Sequence, residues 1–257
     1  MYEDETKVEK LLLEYLKIII SEFGSYINSD IISYVLNNDI VEFNDSDSIS
    51  FVVHDNVLYL PKKIYSIMPS IKENISYGTN PNHRRKTEEY LDTNTTYYDY
   101  INHFILAGLT PLDYFKESLL HEAMHLCGCR GGNPLEEGFT DLKTRELAQK
   151  HNLVISGYGY PKEVEVAKRL QEIIGKEYID ELIFLPYDKK RSFLTEKVGI
   201  EKTDLYFTVS KEMQRCSAPY YERLKDISDP YEKAELYSEI DYSDVLDILD
   251  EFKNRML

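Results

Sequence analysis

The sequence predicts an α+β fold that is mainly helical, and three observations predict it. Apolar residues recur at spacings of three and four through most of the 257-residue chain. Two short runs of strand-forming residues, 49–53 and 57–60, lie close together as the arms of a hairpin would. Two helices with strong start signals bracket a glycine-containing turn between Leu126 and Pro134.

The first helix is expected over about residues 5–23, where Val8, Leu11, Leu12, Tyr15, Leu16 and Ile19 mark one packing face. A short second helix is expected near residues 31–36. Ile49-Ser50-Phe51-Val52-Val53 and Val57-Leu58-Tyr59-Leu60 then form the hairpin, with His54-Asp55-Asn56 as its loop and Pro61 ending the second strand. The hairpin either offers an edge to an extended substrate or covers the core. His54 at its tip is read as solvated. Residues 77–96 form a polar loop holding the clearest basic cluster, His83-Arg84-Arg85-Lys86, and residues 97–107 form a helix leading to Thr110.

The next helix opens at Thr110-Pro111-Leu112-Asp113, with a hydroxyl at the N-cap, proline at the first helical position and an acid at the third. Leu112, Phe115, Leu119, Ala123 and Leu126 form its core stripe, and Tyr114, Ser118, His121 and His125 a second stripe facing a cleft. One turn separates His121 from His125, so both imidazoles can hold one ion. Glu122 lies about 100° round the helix from His121, out of the ligand set but within reach of a bound water, where a general base belongs.

A catalytic zinc site needs a third protein ligand. The metzincin pattern HExxHxxGxxH would put it at position 131; Gly128 matches the glycine, but position 131 is itself a glycine and cannot ligate. The better source is the returning helix. There Asn133 is the N-cap, Pro134 the first helical residue and Glu136 the partner that completes a capping box. Glu136 thus has a structural task, which leaves Glu137 as the ligand. Asp141, one turn further on, can accept the free ring N–H of a ligating histidine.

His121-Glu122-Ala123-Met124-His125 followed by Glu137-Gly138-Phe139-Thr140-Asp141 resembles the gluzincin metallopeptidases, whose shared pattern is HExxH and then ExxxD. The resemblance covers roughly residues 110–150. The gap from His125 to Glu137 is shorter than in thermolysin-like members and closer to compact gluzincins and the immunity-type peptidases that cleave phage repressors. The resemblance implies a zincin-like helix–loop–helix metal site with Zn2+ on His121, His125 and Glu137. It also implies Glu122 as base, Asp141 orienting a histidine, and hydrolysis of a peptide or protein substrate.

Further along, Ser156-Gly157-Tyr158-Gly159-Tyr160 is a loop that supplies the candidate oxyanion donor, Tyr160, with Tyr158 and His151 as alternatives. Pro161 starts a helix that carries Val164, Ala167, Leu170 and Ile174 on one face and ends at Gly175. From residue 176 onwards the chain reads as charged helices that wall the cleft. The expected organisation is an N-terminal helical segment (1–45), a catalytic core (46–175) and a helical C-terminal subdomain (176–257), or one continuous domain.

A net charge of −16 disfavours nucleic acid and anionic membranes as partners. The N-terminal apolar run is broken by Glu14 and Lys17, so no signal peptide is expected, and three cysteines do not suggest a disulfide framework. A cytoplasmic hydrolase is the expectation. Cys127, Cys129 and Cys216 are read as free thiols rather than a second metal site. The alternative function is a regulatory or interaction protein with a mainly structural zinc. The sequence leaves natural substrate and oligomeric state open.

Overall fold

A computed structural model describes residues 3–44, 52–61, 111–129, 131–155, 160–224, 227 and 236–256. Helix α1 (Glu3–Phe23) buries Val8, Leu12, Tyr15, Leu16 and Ile19, the face its periodicity marks out. Helix α2 (Ser29–Asn37) is longer than expected because Asn28 caps it, its side chain accepting from the Asp30 amide at 2.8 Å.

The sheet contains a strand the sequence did not announce. β1 (Val41–Asn44) pairs in parallel with β3 (Val57–Pro61), and β3 pairs antiparallel with β2 (Val52–His54), giving the order β1-β3-β2. The three-residue loop expected at 54–56 is a two-residue turn. Asp55 and Asn56 both take positive φ, +50° and +62°, as a tight primed hairpin turn demands, so His54 remains in the strand and is exposed. Pro61 closes β3 as its last residue. The polar loop at 77–96, the helix at 97–107 and the Thr110 cap lie outside the described residues.

Helix α3 (Pro111–Leu126) is the centre of the molecule. Phe115, Leu119, Ala123 and Leu126 are buried as expected, but so are Leu120 and Met124, so the helix is surrounded rather than packed on one side. It ends in a Schellman motif, with the Gly128 amide donating to the His125 carbonyl and the Cys129 amide to the Met124 carbonyl, and Gly128 at φ +92°. The glycine that matched the metzincin pattern is therefore a helix stop.

Helix α4 (Pro134–Lys150) starts as predicted, with Asn133 Oδ1 accepting from the Glu136 amide at 3.0 Å. The expected capping box is not completed. The Glu136 carboxylate turns instead to Lys190 Nζ, 2.6 Å away in the interior, because a helix remote in sequence brings that buried lysine against the start of α4.

Helix α5 (Pro161–Ile174) packs closely on α4. A Cβ built at Gly138 would lie 2.5 Å from the Glu163 carbonyl oxygen, so only glycine allows this approach. Helices α6 (Lys176–Leu182), α7 (Tyr187–Val198), α8 (Ile200–Leu224) and α9 (Ser243–Met256) complete the described chain. One apolar core runs from Val8 to Phe252 and draws on all three sequence segments. Among the described residues no helix is long and apolar enough to cross a membrane.

Candidate metal centre

Helices α3 and α4 meet across the glycine turn and bring three donor atoms to one point. His125 Nε2 lies 3.1 Å from His121 Nε2 and 3.4 Å from Glu137 Oε2, and His121 Nε2 lies 3.2 Å from the same oxygen. Among the described residues this is the one group of three or more acidic, histidine or cysteine side chains able to hold an ion. Zinc with ligands at about 2.0–2.2 Å in a tetrahedral arrangement sets those ligands about 3.3 Å from one another. The three observed separations fit.

The outer ring nitrogens decide the protonation of the inner ones. His125 Nδ1 sits 2.7 Å from the Cys129 carbonyl oxygen, which only accepts, so Nδ1 carries the hydrogen. His121 Nδ1 faces Asp141 Oδ1 at 3.7 Å, an ion-pair distance, and favours the same tautomer. Both Nε2 atoms then present lone pairs to each other and to a carboxylate oxygen. Three acceptors around one point call for a positive charge.

The electrostatics agree. Burial alone would lower the pKa of His121, yet the Asp141 and Glu137 carboxylates outweigh it and push it up to about 10. Burial likewise opposes ionisation of Glu137, and the two histidines overcome it and hold the carboxyl well below its usual range. Without an ion, a proton supplies the charge the cluster needs. Burial raises the pKa of Glu122, partly offset by the two histidines.

Glycines shape the approach to the cluster. A Cβ at Gly131 would fall 2.3 Å from Glu137 Oε1 and 3.0 Å from His125 Cε1, so the residue excluded as a ligand is needed as bare backbone beside the ligands. The Gly132 amide donates to Glu137 Oε1 at 3.2 Å, leaving Oε2 for the histidines.

Comparison of the chain with protein-family models, with curated proteins and with solved structures returned no match.

Glu122, His125 and Glu137 line a cleft of about 780 Å³, with Val53 and Asp55 of the hairpin on one side and Tyr160 on another. Tyr160 stacks on His121, ring centroids 5.6 Å apart and planes 22° from parallel. It sits at the N-cap of α5 in the left-handed region, φ +43°. That conformation is strained for a tyrosine. Of the alternatives, His151 pairs with Glu22 of α1 at 2.9 Å and is not part of the cleft lining, and Tyr158 is outside the described residues.

Two supports were not anticipated. Arg145 Nε and Nη2 donate to Asp141 Oδ2 at 2.8 and 2.7 Å, so its second oxygen is left facing His121. The spacing of Asp141 and Arg145, one helical turn, was readable. The Cys129 carbonyl was not, since a backbone acceptor leaves no mark in side-chain spacing. Cys127 and Cys129 are buried, and burial pushes both thiols up to about 12, so they are neutral.

Proposed function

We propose that the protein is a gluzincin-like zinc metallopeptidase of the cytoplasm, hydrolysing a peptide or protein substrate. The observation that carries this is the convergence of three lone-pair donors, His121, His125 and Glu137, at ligand spacing on the wall of an open cleft that also holds Glu122. Zinc held there would lower the pKa of a water towards about 7 and polarise an amide carbonyl.

The chain's own residues supply the rest. Glu122 takes the proton from the attacking water and delivers it to the leaving amine; its burial favours the protonated form needed in the second half of that cycle. Asp141, held by Arg145, and the Cys129 carbonyl orient the two imidazoles. Tyr160, beside His121, is the candidate donor to the developing oxyanion. A purely structural zinc needs a fourth protein donor, and only three converge among the described residues. The free thiols of Cys127, Cys129 and Cys216 suit a reducing compartment.

The test is zinc content together with hydrolysis of a proteome-derived peptide library, products being identified by mass spectrometry for wild type and Glu122→Gln. The expected outcome is one zinc per chain in both proteins and cleavage reduced at least about a hundredfold in the variant. Absence of stoichiometric zinc, or unchanged cleavage in the variant, refutes the proposal.

A further inference from the structure

A second cavity, of about 370 Å³, adjoins the first at Glu137 and Tyr160, and no described residue of the hairpin lines it. Its floor is the start of α4, Gly132, Asn133 and Pro134, and its far wall is α8. Gly132, Glu137 and Tyr160 line both cavities, so the two meet at the ligand cluster. A substrate held there with its carbonyl at the cluster has one neighbouring side chain within reach of the smaller space.

The α8 wall has a distinct chemistry. Gln214 and Ala218, and Ser217 and Tyr221, are each four residues apart, so the four form one band along the helix. None of these four carries a charge, and the charged residues Lys211, Glu212, Arg215, Glu222 and Arg223 of α8 are not among those lining the cavity. Arg215 is drawn to Glu212 at 2.6 Å, and Arg223 pairs with Glu239. Ser217 is buried, and Gln214, Ala218 and Tyr221 are exposed to the cavity side. Burial, with the negative charges of Glu163 and Glu137, holds the Tyr221 phenol above its ordinary pKa, so it too is neutral.

We propose that this cavity is the side-chain subsite flanking the scissile bond, that it selects an aromatic or aliphatic residue over an acidic one, and that Ala218 sets its depth. An acidic side chain there would face Glu137 across the shared wall. An aromatic side chain finds the Tyr221 ring, Pro134 and the Ala218 methyl. A bulkier residue at 218 would fill the space those contacts use.

The inference rests on the metal reading, and the experiment separates the two. Zinc-loaded protein is titrated calorimetrically with small hydroxamates bearing hydrogen, benzyl or carboxyethyl on the carbon next to the metal-binding group. Wild type is expected to bind the benzyl compound about tenfold or more tighter than the unsubstituted one, the range typical of side-chain selection by an apolar pocket, with no gain for carboxyethyl. In Ala218→Trp the benzyl-to-hydrogen ratio should fall to about one. In Gln214→Arg, at an exposed position in the same band, the carboxyethyl compound should gain over the benzyl one. A benzyl preference that survives Ala218→Trp, or its absence in wild type, overturns the subsite while the metal reading stands. Failure of the unsubstituted hydroxamate to bind zinc-loaded wild type overturns both.

Discussion

Gly131→Ala separates the site from the fold. The added methyl would lie 2.3 Å from Glu137 Oε1 and 3.0 Å from His125 Cε1, while no positive φ at this position opposes a side chain. Ordinary van der Waals contact requires Oε1 to retreat by about 1 Å. Because Oε1 ends a side chain, Glu137 gives way and the backbone stays. Metal–ligand distances tolerate about 0.2 Å, so a carboxylate displaced by about 1 Å is lost as a ligand. The hydrogen bond from the Gly132 amide to Oε1 is lost with it. Zinc affinity is expected to fall at least about a hundredfold, which corresponds to about 2.8 kcal/mol. Unfolding of the metal-free protein should move by less than about 1 kcal/mol, since position 131 is exposed. Gly132→Ala provides the opposite case: it has φ +110° and no neighbour within 4 Å of an added methyl, so strain lowers stability without pushing on the ligands. Zinc affinity is read by competition with a chelating indicator, and stability by urea unfolding in EDTA. Zinc binding by Gly131→Ala within threefold of wild type would refute the placement of Glu137.

Two further substitutions address the frame around the site. Lys190→Met strands the buried Glu136 carboxylate and should cost about 3–5 kcal/mol of unfolding free energy in urea; a loss below about 1 kcal/mol would mean the pair is not buried as described. Glu163 is buried against the Tyr237 and Tyr242 hydroxyls, which donate to it at 2.5 and 3.0 Å, and burial raises its pKa above the ordinary 4.5. A carboxyl with a raised native pKa binds more protons folded than unfolded, so its contribution is greatest at low pH and declines as pH climbs above 4.5 towards the native value. Wild type should therefore lose stability relative to Glu163→Gln over that rise, followed by thermal unfolding across a pH series, and a pH-independent difference would contradict the assignment.

The motif residues were legible because their geometry is local. His121, Glu122 and His125 share one helix, and four-residue spacing fixes their relation before any tertiary contact forms. The start of α4 was legible for the same reason, since Asn133 and Pro134 encode a cap within a few residues. β1 escaped notice because Val41-Glu42-Phe43-Asn44 is too short to carry a period-two signal, and it becomes a strand only by pairing with β3. Glu136 defeated the capping-box expectation because its partner, Lys190, arrives on a helix remote in sequence.

By itself, the sequence determined a mainly helical chain, its capped α4, the pair of histidines with a neighbouring carboxylate, and the exclusion of position 131 as a ligand. Tertiary structure decided that Glu137 points at both imidazoles, that the Cys129 carbonyl fixes one tautomer, that Tyr160 stacks on His121, and that Gln214, Ser217, Ala218 and Tyr221 of α8 stand beside the cluster. Helical spacing places residues along one element with certainty enough to name donors. Which donors converge depends on how closely α3, α4 and α5 approach, and that distance is set by bare backbone at Gly131 and Gly138 and by burial summed over the whole core.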